Sequence, residues 1–443
     1  MKVIHVPYCF CPDPVGGTEI YVEALAQNLK KMGVESVICA PAEKTDIYSH
    51  NGLRVRRFAL PSAVHDLREL YGEGNFEAAR AFGQILDEEK PDLVHLHAFT
   101  RGASLLLVRE AKKRGIPAIF TYHTPTVSCQ RGTLMRWGKE VCDGALRLHT
   151  CSRCTLHGLG LDRYSASFIG SLPPQAGQFI GNLGLSGGAW TALRMTELME
   201  LRHSTFRQLM EEIDHIIAPA NWARDLLIRN RVPTGKISVS RQGLCATLLQ
   251  SLTHDTKLTT HDLKVVFMGR LAPEKRAHIL IQAFRSDPEL KATLDIYGII
   301  QGEGSREYEK KLHSLAGNDT RIQFFSAVPA DKVGITLQSY DVLAVPSQWL
   351  ETGPMVILEA FAAGIPVMGS NLGGIAESIE NEVNGILLKP DSVKEWGNAI
   401  QQLSKDRQRL NRLKNHIASP RNIETVTEEM LTLYEVFAHS RKT

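Results

Sequence analysis

Along this chain, short unbroken apolar runs alternate with longer stretches in which apolar residues recur every three or four positions. The runs "KVIHVPY", "SVICAP", "DLVHLHA" and "AIFTYH" predict buried strands in the first half. Between them, "TEIYVEALAQNLKKMG" and "SLLLVREAKKRG" predict amphipathic helices, each stopped by a glycine. The alternation restarts at residue 263 with "LKVVFMG", "ATLDIYG", "IQFFSAV", "DVLAVPS" and "IPVMGS". Two α/β halves with parallel sheets follow from this pattern. Residues 246–262 are polar and threonine-rich and read as a linker. The expected organisation is a first domain at 1–245, a second at 263–422 and a final helix at 423–443 packing back on the first. A stretch at roughly 155–190, rich in Gly, Ser and Pro, reads as irregular.

Length agrees with two domains: 443 residues exceed the roughly 250–300 at which a single core stops growing. Apolar content of 43% and charged content of 22% are those of an ordinary globular chain. With 51 basic and 48 acidic residues the net charge is +3, so bulk electrostatics do not point to nucleic acid. No apolar run approaches the roughly 20 residues that span a bilayer. The start "MKVIHVPYCF" reads as a first strand and not a signal peptide, so a cytoplasmic location is expected.

Candidate chemistry concentrates in "DVLAVPSQWLETGPMVILEAFAAGIPVMGSNLGGIAESI". A strand ends at Pro346-Ser347, Glu351 sits on the loop after it, and Gly353-Pro354 opens a helix with proline suited to its first position. Glu359 lies about a turn inside that helix, and a Gly373-Gly374 turn leads into the next. Loops at the carboxyl ends of parallel strands are where open α/β sheets hold ligands, and helix N-termini there attract phosphate.

These residues resemble the family 4 glycosyltransferases of the GT-B fold. "ETGPMVILE" resembles that family's Glu-x7-Glu motif at Glu351 and Glu359, and "VVFMGRLAPEKRAHILIQAF" its segment around Gly269, Arg270 and Lys275. "IIAPANWARDLLIRNRVPTGKISV" resembles the handover from first to second domain. The resemblance implies two Rossmann-like domains with parallel sheets facing across a cleft. It also implies a nucleotide-diphosphate sugar donor, held mainly by the second domain, and a retaining transfer to a hydroxyl acceptor.

Arg270 and Lys275 would then hold the diphosphate, where two fixed cations favour leaving-group departure. Glu359 would take the ribose hydroxyls, and Glu351 would lie near the donor sugar. Backbone around Gly353, Pro354, Met355 and Val356 would line the donor, with N–H groups from all but Pro354, and Glu377 would orient. In the first domain, "CPDPVGGTEIYV" resembles the family's glycine-rich loop at Gly16 and Gly17, and "FTYHTP" its donor-side histidine, His123. His95 and His97 are two residues apart and share one side of their strand. His97 is nearer the carboxyl end and has the better reach toward a ligand, against a packed role for both. The mechanism implied needs no catalytic metal, in keeping with the absence of an Asp-x-Asp motif.

Two places depart from the family pattern. Lys275-Arg276 stands where members often have Lys-Gly, and Ser240-Arg241-Gln242-Gly243 where they often have Pro-Asn-Gly. The second departure bears on the contact to the donor, for which Gln242 remains capable of hydrogen bonding.

Four of the eight cysteines, Cys129, Cys142, Cys151 and Cys154, fall just after His123, the last two as C-x-x-C. Four thiolates suit tetrahedral zinc, and an iron–sulfur cluster uses the same ligands. His149 and His157 are spare candidates, and small buried hydrophobes are the plain alternative. Such a metal would be structural and would tie down an insertion at about 125–190 on the acceptor side. Its apolar residues Phe168, Ile169, Phe179, Ile180, Leu183 and Trp190 suit a flap, a membrane-touching patch for a lipid-linked acceptor at the inner membrane face, or a loop packed on the body. Two other functional classes stay open: a sugar-phosphate synthase or phosphorylase, and a non-catalytic nucleotide-sugar-binding partner subunit.

Overall fold

The computed structural model describes residues 1–13, 16–64, 66–185, 187–244 and 262–439. The chain divides into two compact units. One comprises Met1–Arg241 with the stretch from Val426 onward, the other Gln242–Thr425. The expected linker at 246–262 lies outside the described residues apart from Asp262.

The first unit is built on an eight-stranded sheet. Its spatial order is Ile237–Val239, His215–Ala218, Ala118–Thr121, Leu93–Leu96, Lys2–Val6, Glu35–Ala42, Leu53–Ala59 and Asp46–His50. All neighbours run parallel except the last pair. The central strands are short and almost wholly apolar because helices cover both faces. The antiparallel edge hairpin turns at Asn51-Gly52, both left-handed at φ 48° and 76°. That is the geometry an Asn-Gly hairpin turn requires.

The stretch at 155–190 is not irregular. It forms the helices Leu148–Gly158, Arg163–Ile169, Pro174–Asn182 and Gly188–Leu193; the second packs on the first, and the other three pack against the long helix Met195–Glu212. Glycines and prolines punctuate these helices without preventing them. Leu156, Ala166, Ala192, Met195, Leu198 and Met199 close a local core beneath, so the insertion has apolar packing of its own. Tyr164 and Phe168 remain 90% and 76% exposed, with Phe179 and Leu183 also outward. Residues 164–193 contain no charged side chain. Among the described residues no helix is long and apolar enough to cross a membrane.

The second unit carries six parallel strands in the order Ile322–Ser326, Ala292–Ile299, Leu263–Arg270, Val342–Val345, Val367–Ser370 and Gly385–Leu388. In chain order this is 3-2-1-4-5-6, the doubly wound arrangement. The direction of winding reverses between Leu263–Arg270 and Val342–Val345. Loops leaving those two strands diverge to opposite faces and open a crevice at their carboxyl ends. One side of the sheet packs Leu280, Ile281, Phe284, Trp396 and Ile400, all fully buried. The other packs Ile357, Ala360, Ile375 and Ile379.

Candidate active site

The strand Leu263–Arg270 ends with Gly269 at φ 155° and Arg270. Ala272 leads into the single turn Pro273–Lys275. Across the switch point, Val342–Val345 ends before Pro346, whose missing N–H cannot continue the ladder. The loop that follows carries Ser347, Gln348, Trp349 and Glu351. Gln348 donates its backbone N–H to the Glu274 carbonyl at 2.7 Å, tying the two loops together.

Lys275 Nζ donates to both carboxylate oxygens of Glu351, at 2.9 and 3.0 Å, and lies 5.4 Å from the centre of the Trp349 ring. Glu351 is 6% exposed. The sequence assigns these two residues to different parts of a ligand, whereas the folded chain joins them as a buried ion pair 76 residues apart. Arg270 pairs with Glu274 at 3.1 Å and keeps 41% of its side chain exposed.

The helix Met355–Ala362 begins one residue later than expected, so Pro354 occupies the position before its first turn. Gly353, at φ 139°, makes the bend into it. Its N-terminal amides and the helix dipole face the end at which the loop arrives. Glu359 is half-buried, and its desolvation pushes the carboxyl up to about 7. The Gly373-Gly374 turn supports the Glu351 loop from beneath. Gly374 donates its N–H to the Glu351 carbonyl at 2.7 Å, and a Cβ there would stand 2.6 Å from that oxygen and 2.7 Å from Gly353 N. Glu377 lies on the short helix Gly373–Ser378 that follows.

Three further polar atoms lie at the ends of these strands, and no local sequence pattern marks them. Ser347 Oγ, Trp349 Nε1 and Ser370 Oγ are buried without a hydrogen-bond partner among the described residues. Each such group costs about 1–3 kcal/mol. Their clustering at the ends of adjacent strands fits a polar ligand. Of the departures noted in the sequence, Arg276 adopts the left-handed conformation at φ 57°. Glycine suits that position because other residues are strained there by about 1 kcal/mol. Gln242 Oε1 lies 4.0 Å from the position of a Cβ on Gly353, beside the same loop.

In the first unit, Gly16 precedes the helix Gly17–Lys31 and donates its N–H to Glu19 Oε2 at 2.9 Å. The amide expected to approach a diphosphate is thus held by a carboxylate. Pro14 and Val15 of the same loop lie outside the described residues. His123 follows Ala118–Thr121 and joins a chain of imidazoles. Its Nε2 lies 3.1 Å from His97 Nδ1, and His97 Nε2 lies 3.2 Å from His5 Nδ1. Burial holds His5 and His123 at about 3 and depresses His95 and His97 as well, so all four are neutral. His97 does not reach toward a ligand, being 2% exposed between two other rings. It is a packed histidine.

His5, His95 and His97 also place three ring nitrogens within 4.8 Å of one another. Both nitrogens of His95 and of His97 are engaged without an ion, whereas His5 Nε2 is buried with no hydrogen-bond partner among the described residues. His95 uses its two nitrogens on Tyr434 Oη and Thr121 Oγ1, both at 2.7 Å, while His5 and His97 bond each other. The network is best described as a buried polar core.

A family model described as "Glycosyl transferases group 1" matches residues 252–419, and one described as "Glycosyl transferase 4-like domain" matches residues 16–164. Sucrose-phosphate synthase from Thermosynechococcus elongatus superposes with a TM-score of 0.67 at 18% identity, covering 99% of this chain and 100% of that one. Anabaena HepE, solved with UDP and glucose, gives 0.65 at 17% identity, covering 98% and 99%. The chain has the GT-B fold of the glycosyltransferases.

Curated relatives with partial alignments accompany the GT-B likeness. The D-inositol 3-phosphate glycosyltransferase of Rhodococcus jostii is 28% identical over 239 residues, 50% of this chain and 51% of that protein. Spore coat protein SA of Bacillus subtilis is 32% identical over 194 residues, 41% and 51% respectively. The chain spans about half the length of the curated relatives it matches.

Proposed function

We propose that this chain is a retaining glycosyltransferase that moves a sugar from a nucleotide-diphosphate sugar to a hydroxyl acceptor. The observation that carries the reading is the grouping at the switch point of the second unit. Arg270, the Lys275–Glu351 pair and the start of the helix Met355–Ala362, which carries Glu359, all follow the carboxyl ends of the two strands that flank it, and the buried Ser347 hydroxyl on the same loop has no hydrogen-bond partner among the described residues. Diphosphate charge meets Arg270 and Lys275, and Glu359 accepts from the ribose hydroxyls. The bond between the anomeric carbon and the phosphate oxygen breaks as the acceptor oxygen bonds to that carbon on the same face. The acceptor's proton passes to the departing phosphate. The resemblance assigns Gly16, Gly17 and His123 to this reaction. No metal takes part in the chemistry. The relatives named for D-inositol 3-phosphate favour an acceptor hydroxyl on a phosphorylated polyol.

Thermal-shift measurements against UDP, GDP, ADP and TDP test the reading, with UDP placed first because HepE was solved with it. Absence of a shift with all four would count decisively against it.

Glu359 adds a pH signature. The folded chain holds this proton more tightly than the unfolded chain between about pH 4.5 and 7, so the carboxyl withdraws stability as pH rises through that window. The nucleotide selects the ionised form, so its affinity tightens by about tenfold from pH 6 to pH 8. Titration calorimetry should show that slope in the native chain and lose it in Glu359→Gln. An equal slope in both would remove Glu359 from the ribose site.

The uncharged stretch at 164–193, with Tyr164, Phe168 and Phe179 outward, is assigned to contact with a membrane face, and the exposed Arg163 stands at its edge for anionic headgroups. The chain should sediment with phosphatidylglycerol vesicles, with Trp190 emission shifting to the blue. Phe168→Ser/Phe179→Ser should lose both signals. Retention of vesicle binding by that variant would refute the assignment.

A further inference from the structure

Cys129, Cys142, Cys151 and Cys154 are scattered over 26 residues, yet they line one pocket. Three separate pieces of backbone deliver them. Cys129 ends the turn after Pro125–Val127, donating its N–H to the Pro125 carbonyl at 2.8 Å. Cys142 closes a hairpin of two-residue strands, Met135–Arg136 and Glu140–Val141, by donating to the Leu134 carbonyl at 2.8 Å. Cys151 and Cys154 lie one turn apart on the helix Leu148–Gly158, so their side chains emerge on the same face.

All four are free, half-buried thiols. A hairpin with two residues per strand has almost no cross-strand packing to hold it. The local apolar core takes in Cys151 and Trp137 at its margin, while Cys142 stands beyond it. The pocket wall also carries Arg131, Arg136 and Arg147. Arg131 Nη1 lies 3.7 Å from Cys154 Sγ. Four thiolates on a divalent ion leave a net charge of −2, and neighbouring guanidinium groups are the natural counter-charge.

We propose that these four cysteines form a tetrathiolate metal site that fastens the hairpin to the helix. The sulfurs are near one another without being gathered: among the described residues, the group brought within 4.8 Å is the histidine one. Cys154 Sγ instead leans toward the Met135 carbonyl and Cys142 Sγ toward Asp143, each at 3.9 Å. Rotation between staggered wells carries a sulfur about 3 Å, enough to turn these thiols inward on an ion. The site has no vacant position for a reactant, so its effect is on folding. It is independent of the glycosyltransferase reading.

The test is elemental analysis of the full chain purified from medium supplied with zinc and iron. About one zinc per chain is expected. A p-hydroxymercuribenzoate titration of the native protein should release that zinc in step with about four thiols. In Cys151→Ser/Cys154→Ser, bound metal should fall at least tenfold, with a lower melting temperature. Iron with inorganic sulfide and visible colour would support the same four ligands around a cluster. Three outcomes overturn the proposal: no metal in the native protein, zinc undiminished in the variant, or cysteines paired as disulfides by mass spectrometry. Should the variant fail to fold, the titration of the native chain decides alone.

Discussion

Lys275→Ala is expected to lower turnover of a UDP-sugar by about two to three orders of magnitude, the size of effect seen when one charge-stabilising donor is removed. The same change strips the cation from Glu351, which is 6% exposed. Breaking a fully buried pair costs about 3–5 kcal/mol, and the 19% exposure of Lys275 brings the expectation to about 2 kcal/mol. The two effects are separable. Adding Glu351→Gln removes the buried charge that lost its cation, so the double variant should regain most of the melting temperature without regaining turnover. Full activity in Lys275→Ala would take the residue out of leaving-group stabilisation, whatever its stability.

Gly374→Ala is the second large effect. The added methyl group would meet the Glu351 carbonyl oxygen at 2.6 Å, and Gly353 N and the Thr352 carbonyl carbon at 2.7 Å. All three are backbone atoms, so relief requires moving the loop itself. Overpacking of this kind costs about 1–3 kcal/mol. The displaced loop carries both Glu351 and the entry to the helix at Met355. UDP affinity, read by calorimetry, should therefore weaken at least about tenfold. Gly304→Ala serves as the control, because nothing lies within 4 Å of its added carbon. Equal UDP affinity in the two variants would mean that the Gly373-Gly374 turn is ordinary packing.

Asn51-Gly52 between two short segments of mixed polarity is a strong hairpin mark, and the edge pair Asp46–His50 and Leu53–Ala59 was legible from it. The helices within 155–190 were masked by Gly and Pro, whose penalty is modest when a long neighbour such as Met195–Glu212 supplies packing. No local pattern marks the unpartnered Ser347 and Ser370 hydroxyls, since burial is a property of the assembled sheet.

The sequence by itself determined the two parallel α/β halves, because strands covered on both faces must be continuously apolar and the helices between them must be striped. It also determined where candidate chemistry falls along the chain: Arg270 and Lys275 after one strand, Glu351 and Glu359 after another. Only the tertiary structure decided what those residues do to each other. Strand order puts the two loops side by side at the switch point, so Lys275 is paired with Glu351 and Arg270 is left more open. The same holds for His97, whose position suggested reach and whose neighbours His5 and His123 enclose it. Strand and helix periodicity is a local property, whereas a charge or a ring acquires its partner from segments tens of residues away. Folding alone brings those segments together.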